Sequence, residues 1–510
     1  MPLELAAVAE DSLGVAGEVG DGDDGGTLRV AAPARRRLRL AFAAMADAND
    51  PGLLSAAQSS LLVDQYELAM SASYFKRGMN EPSVFELSVR RLPPNRDWLL
   101  VAGLGPALSM VEAMRFGPDE CEYLTGLGLE RDFLEYLSEC RFTGDVDAVP
   151  EGTVAFAGEP LVRVTGPRIE AQLLETLLLN QVNFQTAIAT KAARIALAAG
   201  GGEPGSGHRI VDFSPRRDHG VDAAMKAARA AAVAGACGTS NVAAAMRYGL
   251  RPMGTMAHSY VMSFPDEETA FRTFMEDTPE NAVMLVDTYD TVEGVRRAIS
   301  AARATGVELR GVRLDSGDLL ELSRAARSLL DEAGMPGTTI LASGDLEETQ
   351  IARLVAAGAP IDLWGVGTDL GTSRDSPVVG GVYKLVAHEG PAGWRGVVKR
   401  APGKETLPGA KQVFREEREG RMVRDVVAVA GESLPGRPLL VPAMRGGRAV
   451  LRESLDEMRE RAAAELAALP PELRSSDPDA ARTPYPVERS EGLRRATAEA
   501  AESAGTVPAR

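Results

Sequence analysis

The chain has 510 residues, 45% hydrophobic and 25% charged, which is typical of a globular enzyme of two or three domains. Its net charge of −16 argues against nucleic acid as the main partner, because affinity for nucleic acid depends on clustered Lys and Arg. The three cysteines lack metal-ligand spacing, and there is neither a secretory signal nor an apolar run of membrane-spanning length. We therefore expect a cytoplasmic protein without disulfides, a structural zinc site or a membrane anchor.

Residues 1–50 differ in composition from the rest of the chain. They contain the Gly/Asp-rich stretch GEVGDGDDGG and the basic run APARRRLRL, which together indicate a disordered, solvated tail rather than a binding arm. Sequence of ordinary globular character begins just after Met45, so Met45 is a candidate for the true start of the protein.

The region 51–167 is predicted to form an N-terminal α+β domain. Apolar residues between Leu61 and Tyr74 recur at helical spacing, and the stretch PSVFELSVRRLP predicts a strand. The stretch EGTVAFAGEPLVRVTGP predicts two short strands joined by a turn.

In the region 168–395 a long helix is followed by short apolar runs that alternate with helical stretches. The runs are HRIVDFS, RPMGTMAHS, AVMLVDT, LRGVRLDSG, TTILASGD and IDLWGVGTD. This βα rhythm predicts an α/β catalytic domain whose parallel sheet forms an irregular or incomplete (β/α) barrel. The predicted strands end near Phe213, His258, Asp287, Asp315, Gly344 and Gly367.

The last part of the chain is predicted to contain two segments. Residues 396–440 return to the N-terminal domain, and residues 441–510 form a C-terminal helical region. Just before these segments, VYKLVA predicts a further strand. Within the C-terminal region, SLDEMRERAAAELAAL predicts a charged helix on the surface.

Polar residues and glycines follow every predicted strand of the barrel. An Asp at such a position often serves only as a helix N-cap, which is a sufficient explanation for Asp318 and Asp345. Six such strand ends on one rim, with a histidine, arginines and Gly-rich turns, indicate a site for a phosphorylated substrate. The stretch GVGTDLGTS offers backbone N–H groups and threonine hydroxyls to a phosphate.

Charged residues near these strand ends suggest partners for that substrate. Asp287 and Asp315 could hold Mg²⁺ or bind ribose hydroxyls. Lys384 and Lys411 are as plausibly exposed to solvent as they are bound to a ligand. Candidates for charge-assisted bonds to phosphate or carboxylate are Arg216, Arg217, Arg313, Lys384 and Lys411.

Several motifs resemble those of one enzyme family, nicotinate phosphoribosyltransferase. They are LLVDQYELAM (61–70), FSPRRDHG and its continuation (213–249), GTMAHSYVMSF (254–264), VRLDSGDL (312–319), VGTDLGTS (366–373), GVYKLV (381–386), PGAKQVFR (408–415) and YPVERS (485–490). They occur in the family's order, and the resemblance covers nearly everything after Met45. It implies the type II phosphoribosyltransferase kind of barrel.

The resemblance also implies a reaction. The family joins nicotinate to 5-phosphoribosyl 1-pyrophosphate, with Mg²⁺, and couples this step of NAD biosynthesis to ATP hydrolysis through a phosphohistidine. His258 matches the histidine that accepts the γ-phosphoryl group, a role that suits neutral imidazole. Without the resemblance, a core histidine bonded to a backbone carbonyl would be an equally good interpretation.

Further roles are carried over residue by residue. Asp315 is similar to the acid that meets the ribose hydroxyls, and Arg313 lies beside the phosphate path. Phe213 and Tyr66 would sandwich the pyridine ring, with Tyr66 supplied by the neighbouring subunit of a homodimer. Arg216 would orient the base and hold pyrophosphate. The other implied substrate-binding residues are Arg217, Thr239, Ser240, Ser259, Gly344, Gly367, Thr368 and Lys384, of which Gly344, Gly367 and Thr368 form the 5′-phosphate cradle.

Alternative functions remain open from sequence. Relatives that use nicotinamide carry an aspartate just after the Gly-Thr at 238–239, where this chain has Ser240, so nicotinate is favoured. A quinolinate enzyme would work without ATP and would not need His258, and a non-catalytic barrel could bind the phosphoribosyl compound as a sensor. The chain also has Ser214-Pro215 where the family usually has Gly-Leu, so the roles of Arg216 and Arg217 stay open.

Overall fold

The computed structural model describes residues 59–477 and 483–505. The predicted tail, residues 1–50, and the candidate start Met45 lie outside the described residues. No helix among the described residues combines the length and apolar character that crossing a bilayer requires.

The N-terminal part of the described chain contains short helices and the strands of an antiparallel sheet. Its elements are α1 (Gln65–Arg77), β1 (Pro82–Val89), β2 (Leu99–Leu100), α2 (Leu104–Ala113), α3 (Pro118–Gly126), α4 (Arg131–Glu139), β3 (Asp145–Ala148), β4 (Val154–Ala155) and β5 (Pro160–Pro167). The strand within PSVFELSVRRLP and the pair of strands within EGTVAFAGEPLVRVTGP are thereby confirmed, and the helix predicted between Leu61 and Tyr74 is confirmed from Gln65 onward.

The middle of the chain is a run of βα units. It comprises α5 (Arg168–Gln172), α6 (Glu175–Ala199), β6 (Ile210–Asp212), α7 (Val221–Val233), β7 (Gly238–Thr239), α8 (Val242–Tyr248), α9 (His258–Met262), α10 (Glu267–Asp277), β8 (Val283–Leu285), α11 (Thr291–Thr305), β9 (Gly311–Leu314), α12 (Leu319–Glu332), β10 (Thr339–Ala342), α13 (Glu348–Ala356), β11 (Leu363–Val366) and α14 (Thr368–Thr372).

The last part returns to antiparallel structure. It comprises β12 (Gly381–Gly390), β13 (Gly393–Gly396), β14 (Lys411–Arg418), β15 (Arg421–Val429), β16 (Arg437–Pro438), β17 (Val441–Arg445), β18 (Arg448–Ala449), α15 (Leu455–Ala468), β19 (Val487–Arg489) and α16 (Glu491–Gly505). The predicted strand VYKLVA and the predicted helix beginning at SLDEM are confirmed as β12 and α15.

The βα units form a six-stranded parallel sheet in the order β7-β6-β11-β10-β9-β8. β7 and β8 are its two edges and do not pair with each other, so the barrel is incomplete, as predicted. All six strands run the same way, which brings the residues after their carboxyl ends to one rim.

One predicted strand is wrong. RPMGTMAHS contributes only a parallel bridge between Pro252 and Thr239, and His258 begins α9 instead of ending a strand. The second strand of the sheet is β7, which was not predicted. Proline has no N–H to donate to a ladder, and two hydrogen bonds to Thr239 hold the segment around Pro252 at the edge of the sheet.

Strands from distant parts of the chain make a seven-stranded sheet, in the order β13-β12-β1-β5-β3-β17-β18. β12, from the region 168–395, pairs with β1, and β17, from the region 441–510, pairs with β3. A third sheet has the order β16-β14-β15-β19, and β2 pairs with β4. The predicted domain boundaries at 51–167, 168–395, 396–440 and 441–510 stay a prediction.

The long helix α6 links the two main cores. Its first half, including Leu178 and Val182, packs in the core of the seven-stranded sheet, and its second half, including Ile188 and Ile195, packs beneath the parallel sheet. With 25 residues it is about 37 Å long, and its almost continuous burial accounts for its high content of Leu, Ile and Ala.

Asp and Glu side chains begin several helices behind the rim. Asp318 accepts hydrogen bonds from the N–H groups of Leu320 and Glu321, which confirms its interpretation as an N-cap. For Asp345 that interpretation is wrong, because Glu347 caps α13 and Asp345 occupies a turn with φ of 46°.

Candidate active site

The rim of the parallel sheet brings a histidine and a carboxylate together. His258 Nε2 lies 3.9 Å from Asp315 Oδ2, and both side chains are partly open to solvent, at 40% and 29% exposed. His258 is the first residue of α9, and Asp315 directly follows β9. The structure thus joins the two predicted catalytic residues, which lie far apart in the sequence.

The His258 ring is oriented by its other nitrogen. Nδ1 lies 3.2 Å from Thr288 Oγ1, just after β8. The threonine oxygen can accept a hydrogen bond from Nδ1–H, and in that tautomer Nε2 carries the free lone pair on the Asp315 side. The hydroxyl can also donate to an unprotonated Nδ1, so the contact fixes the orientation of the ring, with Nε2 toward Asp315, and is compatible with either tautomer.

Asp315 is held as an anion by a small network. Arg313 Nη2 donates to its Oδ1 over 2.7 Å, and Arg313 Nε donates to Ser343 Oγ over 2.7 Å. Burial opposes ionisation of Asp315, but hydrogen bonds from Ser343 and the positive charge of Arg313 lower its pKa below the ordinary value. Its Oδ1 is thereby occupied, and Oδ2 faces the open rim.

Asp287 lies next to this network with one oxygen unused. Its Oδ2 accepts hydrogen bonds from the Asp315 N–H (3.1 Å) and from Ser316 Oγ (2.6 Å), whereas its Oδ1 is buried without a hydrogen-bond partner. No group of three or more His, Cys, Asp or Glu among the described residues could hold a metal ion by itself. Two carboxylates that act together with substrate phosphates still fit Mg²⁺, because this ion usually binds in that way.

The loop after β6 carries the predicted base-binding residues. Asp212 accepts hydrogen bonds from the Ser214 N–H (2.9 Å) and from Thr239 Oγ1 (2.7 Å), so it ties this loop to the end of β7. Ser240 follows and donates its N–H to the Asp212 carbonyl over 2.8 Å. Burial raises the pKa of Asp212.

Phe213 lies beside Arg313. The Arg313 guanidinium carbon is 5.4 Å from the centroid of the Phe213 ring, a distance that allows a cation–π contact. An aromatic ring stacked on Phe213 would therefore lie beside a positive charge.

Glycines on β11 and α14 allow the loop after β6 to pack closely against these two elements. A Cβ at Gly365 would lie 2.5 Å from the Phe213 ring, and one at Gly371 would lie 1.9 Å from Asp218 Oδ1. At Gly344, φ is 93° and a Cβ would lie 1.9 Å from the Asp315 carbonyl oxygen. Gly344 thus has a packing reason to be glycine, whether or not it also contacts a phosphate.

The remaining predicted rim residues are open to the solvent side. Arg216, Arg217 and Ser259 are exposed, and Thr368 and Gly367 are half-buried at the start of α14. Arg216 and Arg217 follow β6, Gly367 and Thr368 follow β11, and Ser259 is the second residue of α9, next to His258.

Tyr66 and Lys384 form a different group. Lys384 Nζ donates to Glu175 Oε1 over 3.2 Å, and burial and the nearby Glu175 raise the pKa of Tyr66, although its side chain is 47% exposed. Within residues 59–477 and 483–505, no hydrogen bond or ion pair joins this group to His258 or Asp315. Lys411 is buried in an ion pair with Glu86 (2.7 Å), and this ion pair explains its presence without a ligand.

Four residues that contribute to the site were not chosen from sequence. Asp212, Thr288 and Ser343 each follow or end a strand of the sheet, so the strand-end rule could have found them. Asp218 gave a weaker signal, as an acid after two arginines. It accepts a hydrogen bond from Ser214 Oγ (3.0 Å), and burial, followed by the Asp212 charge, raises its pKa to about 6.

The fold and rim define a type II phosphoribosyltransferase. The structure is similar to the crystal structure of human nicotinic acid phosphoribosyltransferase, with a TM-score of 0.72 and 28% identity over 86% of this chain and 99% of that one. It is also similar to nicotinate-nucleotide pyrophosphorylase from Pyrococcus furiosus, with a TM-score of 0.64 and 25% identity over 80% of this chain and 96% of that one.

Sequence comparison narrows the class. Residues 61–183 match the nicotinate phosphoribosyltransferase N-terminal domain, and residues 208–370 match the nicotinate phosphoribosyltransferase family. The chain is 47% identical to nicotinate phosphoribosyltransferase pncB2 of Mycobacterium tuberculosis over 82% of its own length and 89% of the relative's. Identity to the Bacillus subtilis enzyme is 45% over 70% of this chain and 73% of that one. The chain therefore belongs to the nicotinate phosphoribosyltransferase family and is an enzyme.

Proposed function

We propose that this enzyme joins nicotinate to 5-phosphoribosyl 1-pyrophosphate in pyridine nucleotide salvage, and that it couples the reaction to ATP hydrolysis through a phosphorylated His258. The products are nicotinate mononucleotide and pyrophosphate. The observation that carries the proposal is the position of His258 Nε2, 3.9 Å from Asp315 Oδ2 at the open rim.

His258 would act as the nucleophile toward the γ-phosphoryl group of ATP. The Nε2 lone pair forms the new N–P bond while the bond from phosphorus to the ADP oxygen breaks. The Thr288 contact supports this role because it orients the ring with Nε2 toward the rim, and the attacking tautomer would carry its proton on Nδ1. Hydrolysis of the N–P bond then restores the imidazole and releases phosphate.

In the transfer step the pyridine nitrogen of nicotinate forms a bond to ribose C1 while the bond from C1 to pyrophosphate breaks. Positive charge develops on the ribose ring, and negative charge develops on the leaving group. Asp315, kept ionised by Arg313 and Ser343, would bind the ribose hydroxyls and stabilise the ring. Mg²⁺ would be held by Asp287 and Asp315 together with the substrate phosphates, and its chemistry is to neutralise the departing pyrophosphate.

Nicotinate is favoured over nicotinamide by the charges around the Phe213 ring. The Arg313 guanidinium carbon lies 5.4 Å from the centroid of that ring, and Ser240 and Asn241 add neutral donors near the end of β7. A ring stacked on Phe213 with its carboxylate toward these groups would gain a charge-assisted bond. Arg216 and Arg217, both exposed, would bind pyrophosphate, and Gly344, Gly367 and Thr368 would surround the 5′-phosphate.

Tyr66 and Lys384 would serve the site through a homodimer. Their grouping around Glu175, away from the His258 network, is best reconciled with a substrate-binding role if a second copy presents them to the rim. The exposure of Tyr66, at 47%, leaves its ring available for such a contact.

A product assay tests the proposal. Purified enzyme is incubated with 5-phosphoribosyl 1-pyrophosphate, Mg²⁺ and one of three bases, nicotinate, nicotinamide or quinolinate, with and without ATP. We expect nicotinate mononucleotide as the main product, stimulation by ATP, and a radiolabel from γ-labelled ATP on His258. A preference for either other base, or turnover that is indifferent to ATP, would contradict it.

A further inference from the structure

A second cavity lies outside the rim, between the barrel helices and the C-terminal part of the chain. It has a volume of about 870 Å³, and its lining comes from the end of α6, from α13, from the tip of the β14–β15 hairpin and from the segment 471–477. None of the residues assigned to the rim lines it. Its volume is within the range of small-molecule sites.

Three arginines from three separate elements line this cavity. They are Arg353 on α13, Arg421 at the start of β15 and Arg474 after α15. Across the described part of the chain, no side-chain hydrogen bond or ion pair involves any of the three. Arg474 Nε is in addition buried without a hydrogen-bond acceptor.

Unpaired arginines are unexpected in so acidic a chain, which carries 72 Asp and Glu against 56 Lys and Arg. A buried N–H that lacks an acceptor costs stability, so its persistence points to an acceptor from outside the protein. The planar, multi-donor guanidinium is suited to phosphate oxygens.

We propose that this cavity binds a small molecule that carries a phosphate group. Among the described lining residues, Glu203 and Asp477 are the acids, so with the three arginines the lining has a net charge of +1. This modest charge favours a single phosphate dianion over a polyphosphate. Thr349 on α13 can donate its hydroxyl to the same group.

The position of α13 gives such a ligand a connection to the rim. Its first residue, Glu348, forms a buried ion pair with Lys191, and Lys191 Nζ also contacts Asp369 (3.1 Å) on α14. Arg353 and Thr349 therefore lie on the helix that helps to anchor α14, where the proposed phosphate cradle begins.

Titration calorimetry with AMP and with inorganic phosphate tests the proposal on the full chain. The variants are Arg353→Gln and Arg474→Gln in the cavity, Arg313→Gln at the rim, and Arg272→Gln, an exposed arginine of α10, as the matched control. We expect each cavity variant to weaken one class of sites by about 10-fold, in line with a lost charge-assisted bond, while Arg313→Gln and Arg272→Gln leave that class unchanged.

The two probes separate the sources of the phosphate. Tighter binding of AMP than of phosphate at the cavity class indicates a nucleoside monophosphate, and equal binding indicates the inorganic ion. The proposal is overturned if both cavity variants bind AMP and phosphate as the wild type does, or if only Arg313→Gln changes binding. Arg353 is exposed, so its variant stays informative even if Arg474→Gln folds poorly. Because the rim is probed separately, failure here is distinguishable from failure of the proposed catalytic function.

Discussion

Two groups of charged residues in this protein differ in whether all their hydrogen bonds and ion pairs are made with other residues of the chain. At the rim, His258 and Asp315 are 40% and 29% exposed. Near α15, Arg415 and Asp425 are both fully buried, with Arg415 Nη2 2.6 Å from Asp425 Oδ2 and Nη1 2.6 Å from Glu465 Oε2. The side chains of the first group can still form hydrogen bonds or ion pairs with a ligand at the open rim. Those of the second group are closed off from solvent and paired with each other.

This difference separates a catalytic role from a structural one. In the buried group every polar atom of Arg415 has a carboxylate partner, and Tyr485 adds a hydrogen bond to Asp425 (2.9 Å). Loss of one partner there leaves an uncompensated buried charge, so stability should suffer. At the rim, under the proposed function, loss of a side chain removes an interaction made mainly with substrates, so turnover should suffer instead.

The largest expected effect is at His258. His258→Ala removes the proposed nucleophile, so we expect ATP hydrolysis to fall by about 1,000-fold or more, whereas slow transfer without ATP persists. Steady-state ADP release with and without nicotinate measures this. His208→Ala, which changes an exposed histidine, is the control. Full ATP stimulation in His258→Ala would refute the assignment.

Arg415→Met should have the next largest effect, but on folding. It leaves Asp425 buried without its cation and leaves Glu465 with Arg437 as its remaining cation, which should lower the free energy of unfolding by about 3–5 kcal/mol. Urea denaturation measures the loss, and Arg424→Met, on the neighbouring strand, where Arg424 pairs with Glu416 and with the exposed Glu488, should change stability much less. Similar stabilities for the two variants would show that the buried ion pairs of Arg415 contribute no more to stability than those of Arg424.

Asp315→Asn, in contrast to Arg415→Met, should reduce turnover and leave stability unchanged. The amide keeps the shape of the side chain but not the charge that we propose faces the ribose, so kcat should fall by about 100-fold, or about 3 kcal/mol, with an unchanged melting temperature. Asp331→Asn, on the outer helix α12, is the matched control. A variant of Asp315 that unfolds easily but turns over normally would place this residue in the structural group.

The smallest expected effect concerns pH. Burial raises the pKa of Glu67 to about 7, above its ordinary value of 4.5, so the folded protein holds a proton that the unfolded chain releases. Its contribution to stability is complete below about pH 4.5 and is lost as the pH rises to about 7. Glu67→Gln should remove about 2 kcal/mol of this pH dependence.

Denaturation curves at pH 5 and pH 8 for wild type, Glu67→Gln and Glu122→Gln give that difference. Glu122 is exposed, and its replacement should leave the slope as it is. An identical slope in all three proteins would show that Glu67 titrates like a surface acid.

Much of the site was predictable because its signals are local. Strand ends near Phe213, Asp287, Asp315, Gly344 and Gly367 were correct, since a short apolar run followed by polar residues marks the end of a parallel strand. The strand at RPMGTMAHS was wrong because its apolar residues resemble a strand, whereas Pro252 and the contacts of Thr239 limit it to a bridge.

What the sequence by itself determined is the βα order, the residues placed on the rim and the family, because periodicity and motif spacing are properties of neighbouring residues. What only the tertiary structure decided is which charged side chains form ion pairs. Arg96 pairs with Asp375, 279 positions away, and Arg415 pairs with Glu465, 50 positions away. No local pattern carries such pairings, since they depend on how distant elements pack. The same packing groups Tyr66 with Lys384 and leaves Arg353, Arg421 and Arg474 unpaired around one cavity.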